Sequence, residues 1–148
     1  MPLRGEYEPG TAERTNNQVA GYEASDGRES NTLRDVPVVI VTAMGAKSGK
    51  LRKFAVMRVE HDGEYAVVAS KGGAPTNPVW YHNLSADPNV ELQDGAERHD
   101  YVAHLAEGAE RDAWWQRAVA VWPDYDAYQT RTERIIPLFV LRRADIVP

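Results

Sequence analysis

Apolar residues recur with a period of two in several short segments of the chain, which predicts β-strands. The first segment, Val38–Val41, is β-branched and suits a buried strand. Two Asp-Gly pairs, Asp62-Gly63 and Asp94-Gly95, predict tight hairpin turns because these residues tolerate positive φ. The predicted strands cover residues 38–41, 51–60, 65–69, 89–93, 98–105 and 135–142.

Helical periodicity is confined to a few places. Trp115, Val119 and Trp122 are spaced four and three residues apart, which predicts one apolar helix face over residues 111–121. Asn77 and Pro78 indicate a helix cap and a first helical residue. The predicted helices cover residues 15–25 with Thr15 as the cap, 79–84, 111–121, and a short one after Pro123 that includes Tyr125 and Tyr128.

About six strands joined mainly by tight turns favour an antiparallel sheet. That many strands around one core close most simply into a small β-barrel. The expected class is therefore mainly β with inserted helices, as one domain over residues 15–148. Residues 1–14 combine prolines, glycines and charges of both signs, which predicts a mobile tail.

Composition narrows the classes of function. The net charge is -5, which argues against a nucleic-acid partner. The absence of cysteine points to a reducing cytoplasm, and no apolar stretch reaches the length of a membrane span. Peripheral contact with a membrane surface stays open. The four histidines form no metal-binding pattern, so no metal site is expected.

A basic turn, Gly45–Lys50, follows the first strand in this acidic chain. Its glycines let backbone amides point inward, and such a concave row of N–H groups binds anions. Lys47, Lys50 and Arg52 add positive charge, and Ser48 adds a hydroxyl donor. A phosphate or carboxylate site is one interpretation, and an ordinary hairpin with solvated lysines is an equally weighted alternative.

Known motifs do not explain this turn. A Walker loop has four residues between its glycines and opens a helix, whereas Gly45 and Gly49 enclose three and precede a strand. A Rossmann fingerprint is absent. Ser70 lacks the first glycine of a hydrolase nucleophile elbow, so acyl transfer is not favoured.

Aromatic residues supply the other candidate chemistry. Trp80 lies on the helix after a glycine-rich loop, Ser70–Gly73, and further Trp and Tyr residues cluster between 114 and 128. Such rings favour a flat conjugated ligand or a large apolar one. Core packing is the simpler interpretation for Trp115, whereas tyrosines flanked by Pro and Asp are less typical of a core.

Three stretches closely resemble the deazaflavin-dependent nitroreductase family, many of whose members are quinone reductases that use reduced coenzyme F420. They contain Gly-Ala-Lys-Ser-Gly-Lys-Leu-Arg, Ala-Ser-Lys-Gly-Gly-Ala-Pro followed by Asn-Pro-Val-Trp-Tyr-His-Asn-Leu, and Val-Trp-Pro-Asp-Tyr-Asp-Ala-Tyr-Gln followed by Ile-Pro-Leu-Phe-Val-Leu. The resemblance runs in order from about Val36 to the C-terminus. It implies a split β-barrel related to flavin-mononucleotide oxidases.

The resemblance also implies roles for individual residues. Tyr125 would stand near the transferred hydride and the acceptor, with Tyr128, Trp122 and Met57 forming the acceptor pocket. The floor of that pocket departs from many relatives, because Phe54-Ala55-Val56-Met57 replaces a segment that begins Thr-Pro-Leu. The residues implied to bind the coenzyme are Lys47, Ser48 and Arg52 at its tail, and Ser70, Lys71, Gly72, Gly73, Trp80 and Asn83 at its phosphate, ring and linker.

The resulting hypothesis is an oxidoreductase that moves a hydride from reduced F420 to a quinone-like or nitroaromatic acceptor, a menaquinone-like one among them. Two alternatives stay open: a flavin-mononucleotide enzyme with the same barrel, and a non-enzymatic protein that binds the deazaflavin or a lipid-like ligand. Either a monomer or a homodimer is compatible with the sequence.

Overall fold

The computed structural model describes residues 3–145 of the chain. Within these residues, eight strands and four α-helices follow one another, with a short 3₁₀ turn at Lys71–Gly73. The strands are β1 (Thr32–Leu33), β2 (Val36–Met44), β3 (Leu51–Met57), β4 (Val59–His61), β5 (Glu64–Val68), β6 (Asn89–Asp94), β7 (Glu97–Leu105) and β8 (Leu138–Arg143). The helices are α1 (Glu13–Ala24), α2 (Val79–Ala86), α3 (Gly108–Val121) and α4 (Asp124–Thr130).

All pairings between the named strands are antiparallel, in the order β1-β2-β6-β7-β8-β5-β4, and β3 also pairs with β2. The predicted strand over residues 51–60 is interrupted at Arg58, so β3 pairs with β2 while β4 pairs with β5. Since β2 and β5 lie in different parts of the sheet, this break closes the path into a barrel. The fold is the split β-barrel that the resemblance implied.

Alternation of side chains divides the apolar residues into two layers. On β5, Tyr65 and Val67 point into a cluster that also holds Val41 of β2. Ala66 and Val68 point to the opposite face, where α3 and α4 cover them. A strand buried on both faces places successive residues in different clusters, which explains its continuous apolar sequence.

Helix α1 covers a third cluster on the outside of β2. Val19 and Tyr22 are buried there against Val38 and Ile40. The predicted Thr15 cap is wrong. The helix begins at Glu13, because the Asn16 amide already donates to the Ala12 carbonyl (3.0 Å), and no side chain caps it.

Three other local predictions need correction. Asn77 does not cap α2, because Pro78 takes the cap position and the Asn77 side chain accepts a hydrogen bond from Arg134. The last strand begins at Leu138 rather than residue 135. Eight strands replace the expected six because the sequence pattern did not reveal the two-residue β1 or the break before β4.

The N-terminal segment runs beside the start of β3. The Leu51 amide donates to the Glu6 carbonyl (2.8 Å), and the Glu8 amide donates to the Leu51 carbonyl (2.9 Å). Met1 and Pro2 of the predicted tail lie outside the described residues. The mobility of residues 1–14 stays a prediction.

Candidate functional site

A cleft of about 280 Å³ lies between the barrel and α4; we call it the aromatic cleft. Its floor is β3, and its rim is formed by the turn after β5, the start of α2, and the tip of the β1–β2 hairpin. Among the described residues, Arg34 and Lys71 are the charged ones that line it, and none of the lining residues is a carboxylate. Eight of the residues implicated by sequence meet here: Met57, Ser70, Lys71, Gly72, Trp80, Trp122, Tyr125 and Tyr128.

A second cleft, of about 250 Å³, lies between the basic turn and α2; we call it the basic cleft. Lys47, Ser48, Arg52 and Asn83 all line it, so four further predicted residues come together. Asn83 is buried, and its Oδ1 accepts a hydrogen bond from the Ala46 amide at 2.9 Å. The position of the turn is therefore fixed by α2.

The basic turn is itself a closed hairpin loop. The Gly45 amide donates to the Lys50 carbonyl (2.8 Å), and the Gly49 amide donates back to the Gly45 carbonyl (3.0 Å). The Ser48 hydroxyl accepts from the Lys50 amide at 3.1 Å. This arrangement leaves the Lys47 side chain at the cleft, and Lys47 forms no ion pair within residues 3–145.

Glu8, in the N-terminal segment, pairs with basic residues of this region. Its carboxylate lies 2.9 Å from Nη1 of Arg52 and 3.8 Å from Nζ of Lys50. These side chains are 34–44% exposed, so each pair contributes only about 0–1 kcal/mol. The Glu8 carboxylate therefore already pairs with Arg52, one of the basic residues expected to bind an anionic ligand.

The tyrosines of the aromatic cleft are set by a helix that begins just after Pro123. Tyr125 is buried, and its ring lies edge-on to Tyr128 with the centroids 6.1 Å apart. The Tyr128 hydroxyl accepts from Nε1 of Trp122 at 3.2 Å. Burial, and secondly the neighbouring Tyr128, raise the pKa of Tyr125 above its ordinary value. Within the described chain the Tyr125 hydroxyl has no hydrogen-bond partner, so it is available to a ligand.

The Trp80 ring packs against an aromatic side chain of β3. It stacks on Phe54 with centroids 4.8 Å apart and planes 4° apart. Offset aromatic stacking of this kind adds about 0.5–1.5 kcal/mol beyond the buried area. Trp115, by contrast, is buried under α4 and donates to Asp126 at 2.7 Å, which confirms it as a core residue.

The Ser70–Gly73 turn is built from an unusual backbone. Lys71, Gly72 and Gly73 have φ values of 47°, 64° and 81° in succession. A Cβ on Gly73 would lie 2.6 Å from the Tyr128 carbonyl oxygen, a distance that real structures do not tolerate. Gly73 does not line the aromatic cleft; it lets the turn pack directly on α4.

Sequence reasoning missed Arg34 and Arg134. The Arg34 guanidinium lies 5.9 Å from the centre of the Trp122 ring, at a hairpin tip with φ of 51°. The Arg134 guanidinium donates to four oxygens around the Ser70–Gly73 turn, and burial lowers its pKa from the ordinary value. Both arginines contact residues that are distant in sequence, and neither lies in a recognisable motif. No local pattern therefore marks them.

The described residues contain neither a cluster of metal-binding side chains nor a helix that could span a membrane. Across residues 3–145, no three His, Asp or Glu side chains come close enough to hold a metal ion. No helix in that range has both the length and the apolar character needed to cross a bilayer.

The split barrel presents an aromatic cleft beside a basic one, an arrangement that suits a flat ring carrying an anionic tail. The family model for the F420H(2)-dependent quinone reductases matches residues 14–143. The chain belongs to this family, and the resemblance noted in the sequence is confirmed.

Individual relatives agree with the family. An F420H(2)-dependent quinone reductase of Mycobacterium tuberculosis is 34% identical over 126 residues, covering 82% of this chain and 85% of that protein. A solved structure of an F420-H2 dependent reductase is 50% identical, with a TM-score of 0.69, and covers 72% of this chain and 94% of the other. A second solved structure, of a protein described only as a domain-swapped dimer, is 45% identical, with a TM-score of 0.72, and covers 86% of this chain and 93% of that chain.

Proposed function

We propose that this protein is an oxidoreductase that moves a hydride from reduced coenzyme F420 to a quinone. The observation that carries the proposal is that the two clefts share helix α2. Trp80 on this helix lines the aromatic cleft, while Val79, His82 and Asn83 line the basic one. A ligand with a flat ring and a polyanionic tail can occupy both clefts at once.

The residues of both clefts fit the coenzyme chemically. Lys47, Ser48 and Arg52 would hold the anionic tail through charge-assisted hydrogen bonds. The ring and its phosphate side would lie at Trp80 and the Ser70–Gly73 turn, with Asn83 between ring and tail. When bound, the coenzyme supplies the hydride. The described lining of the aromatic cleft has two cationic residues and no carboxylate, which suits a ligand that is itself anionic.

The chain contributes a hydrogen-bond donor to the acceptor. Charge builds on the quinone oxygen as a hydride arrives, and the Tyr125 phenol can donate to that oxygen. Its raised pKa keeps the phenol protonated, so the donor is present across the physiological pH range. Tyr128, Trp122 and Met57 line the same cleft and would form its apolar walls around the acceptor.

The acceptor in the cell is, in this proposal, a menaquinone-like molecule. Leu33 lines the aromatic cleft and Val79 the basic one, and both side chains are exposed. Exposed apolar residues at the mouth suit an acceptor with a long apolar tail. We infer a cytoplasmic enzyme that works as a monomer or homodimer and meets the membrane peripherally. Nitroaromatic acceptors stay a prediction.

The decisive experiment follows the oxidation of reduced F420 by absorbance and fluorescence, with and without menadione. Rapid oxidation that requires both menadione and protein is expected. Parallel titrations should give a much lower Kd for F420 than for flavin mononucleotide, because the basic cleft suits a polyanionic tail. Equal or reversed affinities would favour the flavin enzyme, and tight binding without turnover would favour a ligand-binding protein.

A further inference from the structure

Arg134 lies between α4 and β8 and donates to oxygens of a segment about 60 residues earlier in the chain. Nε donates to the Ala74 carbonyl at 2.8 Å, and Nη2 donates to the Ser70 carbonyl at 2.7 Å. Nη1 donates both to the Ala69 carbonyl (3.1 Å) and to Oδ1 of Asn77 (2.7 Å). One guanidinium therefore holds the whole segment 69–77, which contains the Ser70–Gly73 turn.

Backbone hydrogen bonds fix only part of this segment. The Ala69 amide donates to the Pro137 carbonyl (2.9 Å), and the Gly73 and Ala74 amides close the turn onto carbonyls within it (2.9 and 3.1 Å). The three consecutive positive φ values of the segment exclude it from a sheet ladder, and Lys71 reaches only Thr76. Buried backbone carbonyls need donors, and leaving one unpaired costs about 1–3 kcal/mol. The planar fork of arginine can serve several oxygens in one plane, whereas a lysine ammonium cannot.

The backbone of Arg134 is fixed in turn by α4. Gln129 donates through Nε2 to the Arg134 carbonyl at 2.8 Å and accepts from the Ile136 amide at 3.0 Å. Gly73 packs directly on the Tyr128 carbonyl. Arg134 therefore connects the turn that faces the coenzyme with the helix that carries Tyr125.

We propose that Arg134 is a positioning residue that sets the separation between the Ser70–Gly73 turn and the tyrosines of α4. It would thereby align the coenzyme ring with the acceptor without contacting either one. This proposal rests on the proposed function for its consequence in catalysis, but not for its consequence in the segment 69–77.

Arg111 offers a matched control. Its Nη2 donates to the Ile136 carbonyl at 2.9 Å, and its guanidinium stacks 4.8 Å from the centre of the Trp115 ring. It therefore anchors the same stretch of chain, and it lines neither cleft. Arg111→Gln and Arg134→Gln each remove one guanidinium, but only the second reaches segment 69–77.

The first measurement is hydrogen–deuterium exchange of peptides covering residues 69–77, which needs no coenzyme. Arg134→Gln should speed exchange there at least about tenfold, Arg134→Lys by an intermediate amount, and Arg111→Gln hardly at all. Unchanged exchange in Arg134→Gln would overturn the proposal, whether or not the protein proves to be a quinone reductase.

The second measurement is steady-state kinetics at a temperature where every variant is folded by circular dichroism. Arg134→Gln should raise the KM for reduced F420 about tenfold and lower kcat by a similar factor, while the KM for menadione stays within about twofold. Arg111→Gln should lower Tm but leave all three parameters near wild type. Equal kinetic losses in both variants would reduce Arg134 to a structural residue and overturn the proposal. Failure of the wild type to oxidise reduced F420 would instead overturn the proposed function.

Discussion

At Tyr125, burial and the adjacent ring of Tyr128 both favour the neutral phenol. The side chain combines a protonated hydroxyl, no hydrogen-bond partner among the described residues, and a place in the wall of the aromatic cleft. Tyr128 differs because its hydroxyl already accepts from Trp122. The two tyrosines are therefore chemically distinct although they lie one helical turn apart.

Tyr125→Phe keeps the ring and removes only the donor. We expect the affinity for F420 to hold while menadione turnover falls at least about tenfold, which equals about 1.4 kcal/mol of transition-state stabilisation. Tyr128→Phe is the matched control and should retain most activity. Normal turnover in Tyr125→Phe with a crippled Tyr128→Phe would assign the donor to the other tyrosine.

Lys47 and Arg52 differ in how much of their charge is available. Arg52 is already paired with Glu8, whereas Lys47 has no ion pair within the described residues. Loss of a charge-assisted hydrogen bond costs about 1.5–3 kcal/mol, or about 10- to 150-fold in affinity. Lys47→Ala should therefore weaken F420 binding by about tenfold or more, and Arg52→Ala by less. Added salt should weaken the wild type more than either variant. Unchanged Kd values in both would identify the basic turn as an ordinary hairpin.

Glu8 should oppose coenzyme binding, because its carboxylate neutralises the Arg52 charge that the anionic tail would otherwise bind. We expect Glu8→Gln to lower the Kd for F420 by about two- to fivefold, as the loss of an exposed ion pair allows. Glu6→Gln, with the same change of charge and no ion pair in the described part of the chain, should have a much smaller effect. A raised Kd in Glu8→Gln would mean that Glu8 orients Arg52 for the ligand.

Among the elements, α2 and the Ser70–Gly73 turn connect the parts of the site. Helix α2 contributes Trp80 to one cleft and Asn83 to the other, so a single rigid element fixes their relative position. The turn packs on α4 through Gly73 and is held from behind by Arg134. The relative positions of Trp80, the Ser70–Gly73 turn and the tyrosines therefore depend on how these three short elements meet.

Gly73→Ala tests the contact between the turn and α4. The new Cβ would lie 2.6 Å from the Tyr128 carbonyl oxygen, so the turn must shift as well as adopt a strained φ. We expect a lower Tm and at least about fivefold weaker F420 binding, measured by fluorescence titration. Gly72→Ala has a similar positive φ but open space around its Cβ, so it should cost only about 1–2 kcal/mol of backbone strain. Equal binding losses in the two variants would mean that strain alone accounts for the effect.

For the whole molecule, the burial of tyrosines makes the free energy of unfolding vary with pH in the alkaline range. Burial is the largest cause that raises the pKa of Tyr22, Tyr65, Tyr101 and Tyr125 above the ordinary 10.0. Each contribution is fully present below pH 10 and is lost as pH rises, because only the unfolded phenol ionises there.

The free energy of unfolding should consequently stay flat toward pH 10 and then fall, with each such tyrosine contributing at most about 1.4 kcal/mol per pH unit. Urea titrations at a series of pH values measure this slope. Tyr125→Phe should make the decline shallower by about the share of one group. An identical decline in the wild type and the variant would contradict the assigned pKa direction for Tyr125.

Much of this protein is determined locally by its sequence. Period-two alternation marked the strands, and Asp62-Gly63 forms the predicted hairpin with φ values of 52° and 80°. The basic turn, the glycine-rich turn and the short tyrosine helix also lie where the sequence placed them. Such features depend on residues within a few positions of one another, so pattern and turn chemistry suffice to predict them.

Only the tertiary structure decided how these pieces combine. The sequence around Arg58 does not predict that the chain leaves β2 and pairs with β5 from this point, which closes the barrel. Asn77 was expected to cap a helix, but Arg134, 57 residues away, uses its oxygen instead. Glu8 meets Arg52 across 44 residues. Each of these contacts joins parts of the chain whose proximity depends on the complete packing of the barrel. The residues near each side chain in sequence do not reveal that proximity, because the same side chain could equally form hydrogen bonds with water.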